Sequence, residues 1–202
     1  MKKFKPYARG TVLQFVRHGA TAANLVGLRC GGDLDLPLTD QGRRQAQQVG
    51  RALLAGRRPL SHIVTSDLQR TRETATLIAG VVGSAHALPT LVVEPAFAER
   101  RLGDWNLTPT ADTEAAMRAG LVPPGGESND EFHDRIVDAL DRIRPLMGGS
   151  VGGSVLVVGS KGVARVLGEL SGMPGRVALD NGVLCHFEMG PRFLEQADLQ
   201  TT

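Results

Sequence analysis

The sequence predicts an α/β fold: a three-layer sandwich with a mostly parallel central sheet, helices on both faces and a short helical cap. Short apolar runs of strand length alternate along the chain with longer stretches whose apolar residues recur at helical spacing. Such alternation favours a parallel sheet covered on both faces, because each parallel connection needs a crossover. With 202 residues, 42% of them hydrophobic, the chain is long enough for one sizeable core, and residues 1–202 are predicted to form a single domain.

The first predicted strand is the apolar run 12–16, which ends abruptly in Arg17, His18 and Gly19, and residues 1–9 before it are predicted to be a loose N-terminal tail. Ligands of open α/β sheets bind beyond the carboxyl ends of the strands. Arginine can hold phosphate oxygens in a bidentate grip, and histidine can attack phosphorus or relay a proton. Alone, this tripeptide is a weak signal, because most such tripeptides are ordinary exits from a strand.

The next elements bring further polar residues to the same sheet edge. Residues 20–38 are interpreted as loop and short helix, and Thr39 is predicted to cap a helix that runs to residue 56. A strand over 61–65 is followed by Ser66, the predicted N-cap of a helix over 67–79. Arg70 lies in the first turns of that helix, and a helix N-terminus favours anions.

The second half of the chain repeats the alternation. Strands are predicted over 91–93, 154–158 and 183–188, and helices over about 129–147 and 163–170, with a loop over 148–153. The insertion from about 96 to 128 carries Glu99 and the only tryptophan, Trp105. It is long enough to form a cap over the sheet edge.

Composition limits the partners and the location of the protein. The formal net charge of +2 is nearly balanced, so it gives no reason to expect nucleic acid or a membrane surface as a partner. Cys30 and Cys185 lie far apart and are interpreted as free thiols, and no Cys/His cluster has zinc spacing. The sequence lacks a signal-peptide pattern and a transmembrane run, which predicts a cytoplasmic protein. A homodimer is left open.

Five motifs that follow one another along the chain resemble those of a known family. They are Arg17-His18-Gly19; Leu36-Pro37-Leu38-Thr39 with Gly42 and Gln45-Ala46; Ser66-Asp67-Leu68-Gln69-Arg70-Thr71 with Thr74-Ala75; Glu99 with Gly103 and Trp105; and Pro123-Pro124-Gly125-Gly126-Glu127-Ser128. Together they resemble the histidine phosphatase superfamily, in the phosphoglycerate-mutase-like branch that also holds the α-ribazole phosphatases. The resemblance extends from about residue 12 to about residue 188.

The resemblance implies a role for each matched residue. His18 would be the nucleophile that takes the phosphoryl group, with its other ring nitrogen held by a backbone carbonyl. Arg17 and Arg70 would clamp the phosphate oxygens, and Asn24 lies in the loop that lines the pocket. Glu99 would protonate the leaving oxygen and later activate water.

The residues themselves leave one alternative open, since Glu99 could instead form an ion pair with Arg100 or Arg101. No metal or other cofactor is expected, because the arginines would supply the positive charge that Mg²⁺ supplies elsewhere.

One motif departs from the family, which usually carries Ser-His-Gly-Gly or a close variant after the late strand. Aligning Gly162 places Ser160 where the second histidine belongs. A serine hydroxyl can donate a hydrogen bond but carries no charge, and loss of one preorganised donor typically costs ~10²–10³ in rate. Lys161 either compensates by turning inward or is a solvated side chain, and the serine is either natural or an inactivating replacement.

The sequence therefore predicts an enzyme, a phosphomonoester hydrolase that acts through phosphohistidine on a small phosphorylated metabolite, impaired by Ser160. Two alternatives remain open at this point. One is a non-catalytic or weakly active regulatory protein that binds a phosphate ligand. The other is a phosphoglycerate-mutase-like phosphotransferase, although a short cap suits hydrolysis better.

Overall fold

The structure is a computed structural model that describes residues 1–56, 59–147, 154–173 and 179–190. The loop predicted over 148–153 lies outside the described residues. The strands are β1 (Val12–Arg17), β2 (Leu60–Thr65), β3 (Thr90–Val93), β4 (Ser154–Gly159) and β5 (Leu184–Glu188). The α-helices are α1 (Ala22–Leu25), α2 (Asp40–Ala55), α3 (Gln69–Gly83), α4 (Thr110–Arg118), α5 (Asn129–Met147) and α6 (Lys161–Leu170).

The five strands form one sheet in the order β3-β2-β4-β1-β5. The pairs β2–β3, β2–β4 and β1–β4 are parallel, and β5 joins β1 antiparallel at the edge. The prediction of a mostly parallel sheet is confirmed. Because β1 and β4 are parallel neighbours in the middle of the sheet, the segments that leave them start side by side.

Side chains of successive strand residues enter two separate cores, one on each face of the sheet. On one face, Phe15 and Val157 pack with residues of α5 and α6. On the other, Val16 and Val158 pack with residues of α2 and α3. The three-layer arrangement follows from this alternation and is confirmed.

The N-terminal segment differs from the prediction of a loose tail. It forms no helix or strand, but Tyr7 is only 5% exposed. Its hydroxyl donates to the carbonyl of Leu140 (2.7 Å), and its backbone N–H donates to Met189 (3.0 Å). The guanidinium of Arg144 lies 4.3 Å from its ring centroid. An aromatic ring with a polar tip buries well against a helix that offers a carbonyl.

The start of α3 also differs from the prediction, since Ser66 is not its N-cap. The helix begins at Gln69 after Leu68, which makes no side-chain cap. The Ser66 hydroxyl lies 2.7 Å from that of Thr71 and accepts from the N–H of Leu68 at 3.4 Å. Ser66 therefore shapes the turn before the helix, and Arg70 lies in the first turn.

The insertion 96–128 contains two short 3-10 helices and α4. Asp33, in the loop after α1, ties it to the sheet edge. One of its carboxylate oxygens accepts from the N–H of Leu102 (3.0 Å) and from Asn106 Nδ2 (2.8 Å), and the other accepts from the N–H of Gly103 (2.8 Å). Burial would raise the pKa of Asp33, but these hydrogen bonds outweigh it and lower that pKa.

Candidate active site

His18 and Ser160 follow the two central strands at the same edge of the sheet. Arg17, the last residue of β1, pairs with Gly159, the last residue of β4. The N–H of His18 then donates to the carbonyl of Gly159 at 2.9 Å. His18 is 4% exposed and Ser160 is 2% exposed. The sheet register thus holds the predicted nucleophile beside Ser160, the residue that is predicted to stand where the second histidine belongs.

The His18 ring has a defined orientation. Its Nδ1 lies 2.8 Å from the carbonyl oxygen of Gly19. Because a carbonyl only accepts, Nδ1 carries the proton and Nε2 keeps its lone pair in the neutral ring. Burial lowers the pKa of His18 well below 6.5, and the positive charges of Arg70 and Arg17 lower it further, against the opposing effect of the Gly19 carbonyl. The ring is therefore neutral at physiological pH, with a nucleophilic Nε2.

Arg70 is fully buried at the start of α3. Its two terminal nitrogens donate to the carbonyls of Leu34 (2.7 Å) and Gly31 (2.9 Å). Its Nε is buried and has no hydrogen-bond partner within the described residues. A buried guanidinium costs free energy unless its charge is compensated, so this residue calls for an anion.

Arg17, the residue before His18, repeats this pattern. One terminal nitrogen donates to the carbonyl of Leu179 (2.7 Å), while Nε is buried without a partner in the described ranges. Burial lowers the pKa of Arg17, and the negative charges of Glu99 and Asp180 oppose that effect. The Arg17 guanidinium therefore lies within electrostatic reach of both carboxylates.

Ser160 carries a third buried polar atom that lacks a partner. It occupies the N-cap position of α6, yet its hydroxyl makes no capping hydrogen bond. Its Oγ is buried and unpaired within the described part of the chain. With the Nε atoms of Arg17 and Arg70, this gives three hydrogen-bonding atoms for an anion with several oxygens.

Glu99 is held at the N-terminus of α6. Its Oε1 accepts from the N–H of Arg100 (2.8 Å) and its Oε2 accepts from the N–H of Gly162 (3.0 Å). A Cβ at residue 162 would clash with Glu99 Oε1, so the glycine is required for this approach. The alternative of an ion pair is not observed for Arg100, whose guanidinium donates instead to the Glu127 carbonyl (2.6 Å) and to Asn129 (2.7 Å).

Lys161 and Asn24 complete the predicted set. Lys161 is the first residue of α6 and is exposed, so it is not turned inward. Asn24 Oδ1 accepts from the N–H of Thr21 (3.2 Å) and from Nδ2 of Asn181 (3.1 Å). Its own Nδ2 is the group that remains to donate to a ligand.

Sequence reasoning missed Asn181 and Asp180. Asn181 Nδ2 also donates to the carbonyl of His18 (2.9 Å), so this one amide links the predicted nucleophile to Asn24. The Asn-Gly dipeptide at 181–182 is typical of a turn, but such a signal does not identify the distant residues that Asn181 contacts.

The neutral state of His18 can be checked directly. We expect the ¹⁵N NMR signals of its ring to show the Nδ1–H tautomer at pH 6.5 and to remain unchanged as the pH falls through that value, because its pKa lies well below 6.5. The ring signals of His62, which is partly buried on β2, are recorded in the same spectra for comparison with those of His18. The unfolded chain binds this proton more readily, so the contribution of His18 to the free energy of unfolding falls as the pH drops below about 6.5. A His18 signal that titrates near 6.5 would contradict this.

The fold and the site define a class of protein in which a buried histidine faces two arginines at the edge of a parallel sheet. Residues 13–192 match the sequence profile of the histidine phosphatase superfamily (branch 1). The chain belongs to this family, as the resemblance in its motifs predicted.

Two curated relatives illustrate its range of activities. The chain is 36% identical to phosphoglycerate mutase-like protein 4 of Arabidopsis thaliana, over 76% of this chain and 68% of that protein. It is 31% identical to a metal-independent phosphoserine phosphatase of the same plant, over 78% and 67%. Both mutase-like proteins and phosphatases are thus among its relatives.

Solved structures agree with this placement. A candidate α-ribazole-5′-P phosphatase of Escherichia coli is 27% identical, with a TM-score of 0.70 and 89% of each chain covered. A mycobacterial glucosyl-3-phosphoglycerate phosphatase, solved with VO3, is 29% identical, with a TM-score of 0.71 and coverage of 88% and 90%.

The cysteines form no disulfide in the described part of the chain. Cys30 and Cys185 are free, and burial raises the pKa of Cys185 to about 11. Among the residues that the structure describes, no group of three or more His, Cys, Asp and Glu side chains has the arrangement of a metal site. In those same ranges, no helix is both long enough and apolar enough to cross a membrane.

Proposed function

We propose that the protein is a phosphomonoester hydrolase that acts through a phosphohistidine at His18 on a small phosphorylated metabolite. The observation that carries the proposal is the buried, neutral ring of His18. Its Nδ1–H donates to the carbonyl of Gly19, which leaves the lone pair of Nε2 for attack, and the positive charges of Arg17 and Arg70 act on the ring. The arginines supply the positive charge that phosphoryl transfer needs, so the proposal requires no metal ion.

In the first step, His18 Nε2 attacks phosphorus while the bond from phosphorus to the ester oxygen breaks. Glu99, in its acid form, gives its proton to the departing oxygen. The ring becomes positively charged, and its Nδ1–H donates more strongly to the Gly19 carbonyl. Arg17, Arg70 and the Ser160 hydroxyl would bind the oxygens of the transferring group.

In the second step, water attacks phosphorus and the bond from phosphorus to Nε2 breaks. Glu99, now a carboxylate, takes the proton from the water, so both residues return to their starting states. The N–H groups of Arg100 and Gly162 hold the two Glu99 carboxylate oxygens in place for this step.

A second candidate function rests on Ser160. If the serine removes too much of the charge around the transition state, the pocket binds a phosphate ligand with little turnover, and the protein acts as a regulator. A mutase-like phosphotransferase is the third reading, supported by the mutase-like relatives. Substrates of the named relatives make phosphoserine and phosphorylated glycerates the first compounds to test.

The experiment is a panel of phosphate monoesters that contains phosphoserine, 3-phosphoglycerate, glucosyl-3-phosphoglycerate and α-ribazole-5′-phosphate, assayed in ¹⁸O-labelled water. Hydrolysis releases inorganic phosphate that carries ¹⁸O, and we expect this for at least one compound. Transfer of phosphate to a second hydroxyl without release would favour the mutase. Calorimetric binding without release would favour the phosphate-binding regulator.

A further inference from the structure

An ion pair with a buried carboxylate joins the loop before α5 to that helix. Arg135 Nε and one of its terminal nitrogens donate to the two carboxylate oxygens of Glu127, at 2.9 and 2.7 Å. The Glu127 side chain is 3% exposed and that of Arg135 is 25% exposed. The proposed reaction makes no use of either residue. Buried ion pairs contribute little to the net free energy of unfolding, so we looked for residues whose position this pair fixes.

Arg135 also holds the segment that carries Glu99. One terminal nitrogen donates to the carbonyls of Ala96 (2.7 Å) and Ala98 (3.0 Å). The other donates to the carbonyl of Glu99 itself, at 3.2 Å. A single planar guanidinium therefore donates to three backbone carbonyls within four residues as well as to both oxygens of Glu127, five hydrogen bonds in all, whereas a lysine ammonium has only three N–H donors.

Glu127 holds the chain on the other side of Glu99. Its Oε2 accepts from the N–H of Arg101 (3.2 Å), and its backbone N–H donates to the Arg101 carbonyl (3.0 Å). Its own carbonyl accepts from Nε of Arg100. The backbone is thus tied to the ion pair both before and after the proposed general acid.

We propose that Arg135 and Glu127 are positioning residues that set the place of the Glu99 carboxyl for proton transfer to the leaving group. This inference rests on the proposed function of Glu99. Proton transfer depends on a donor held at hydrogen-bond distance from the leaving oxygen, and small displacements of a catalytic group lower rates strongly. Arg135 and Glu127, together called the clamp, fix the backbone around Glu99 without contacting the substrate.

The test uses leaving groups that differ in their need for a proton. 4-Nitrophenyl phosphate releases a stabilised anion, whereas phenyl phosphate and propyl phosphate need progressively more protonation. kcat/KM is the quantity compared, since it includes the step in which the ester bond breaks and excludes the later attack of water. Glu99→Gln removes the proposed acid. The loss of kcat/KM that it causes for each of the three esters is the reference for the other variants.

We expect Arg135→Met to lower kcat/KM for propyl phosphate by ~10²-fold, within the range of general acid catalysis, and to change that for 4-nitrophenyl phosphate by less than about 3-fold. Arg135→Lys should recover part of the loss. Adding Arg135→Met to Glu99→Gln should cause little further loss, because both changes remove the same proton transfer. Competitive inhibition by inorganic phosphate should be unchanged in the single variant.

The matched control is Arg142→Met, two turns further along α5. Arg142 also makes a two-point ion pair with a glutamate, Glu94, at 2.7 and 3.0 Å, but its side chain is 51% exposed. We expect the control to retain the wild-type rate for every substrate. Glu127→Gln, which keeps the side-chain shape, repeats the test if Arg135→Met folds poorly, and circular dichroism reports folding for each variant.

The outcomes separate this inference from the proposed function. If Glu99→Gln shows no leaving-group dependence, the role of Glu99 as the acid is wrong. If Glu99→Gln shows it while Arg135→Met and Glu127→Gln lose activity equally for all three esters, or lose none, the clamp has no part in proton transfer and the inference is overturned.

Discussion

Replacing His18 by alanine should reduce turnover of any phosphate monoester to background, a loss of roughly 10⁴–10⁶-fold, the scale seen when a covalent nucleophile is removed. His18 is the one proposed nucleophile, and a methyl group cannot form a bond to phosphorus. The variant should also fail to retain ³²P from a labelled substrate after rapid denaturation. In the wild-type protein the label should be acid-labile and stable to base, as expected for a phosphorus–nitrogen bond.

His62→Ala is the control for this experiment. His62 lies on β2, with its Nδ1 3.0 Å from the hydroxyl of Ser61, and the mechanism gives it no role. This variant should retain both turnover and label. An active His18→Ala protein would show that the phosphohistidine hypothesis is wrong, because turnover would then have to use another nucleophile.

The second large effect concerns Ser160. Changing it to histidine should raise the rate on a good substrate by roughly 10²-fold, the scale of one preorganised donor. The serine Oγ is buried and lacks a partner among the described residues, and it follows β4 beside His18. An imidazolium at this position adds charge next to the phosphoryl oxygens. The measurement is kcat with the best ester of the panel.

Lys161→Ala tests the rival explanation. If the exposed Lys161 bends over the pocket when substrate binds, its removal should lower the rate sharply and Ser160→His should help little. The structure favours the opposite result, because Lys161 is exposed at the first position of α6. We therefore expect Lys161→Ala to retain most activity. If neither substitution changes the rate, charge at this edge does not limit the reaction.

Much of the fold and the outline of the site could be predicted because their signals are local. An apolar run that stops at Arg17 and His18 identifies a strand and its carboxyl end at once. The apolar run over 154–158 likewise identifies a strand, and the family resemblance, with Gly162 aligned, drew attention to Ser160 just after it. Since parallel strands share one edge for their carboxyl ends, residues far apart in sequence could be assigned to one place before any contact was known.

The remaining features depend on contacts between distant segments. The carbonyls that hold Arg70 belong to residues 31 and 34, and no pattern in either segment specifies that pairing. Arg135 lies within the predicted helix over about 129–147, where an arginine carries no sequence signal for its four distant partners, three carbonyls and one carboxylate. The N-terminal segment was predicted to be a loose tail, yet Tyr7 is buried and donates to the carbonyl of Leu140, and the Lys2 ammonium donates to Asp138.

The N-terminus of α6 has a consequence for how this protein can change by mutation. The free amide of Gly162 is satisfied by Glu99, which is 63 residues away in sequence, while the hydroxyl at the N-cap position takes no part. The Ser160 side chain therefore makes no capping hydrogen bond, although the Ser160 carbonyl accepts from the N–H of Ala164, so replacing serine by histidine removes no side-chain cap from α6. If residue 160 has the proposed role, mutation there can change the charge beside His18 without removing a side-chain hydrogen bond from the start of α6.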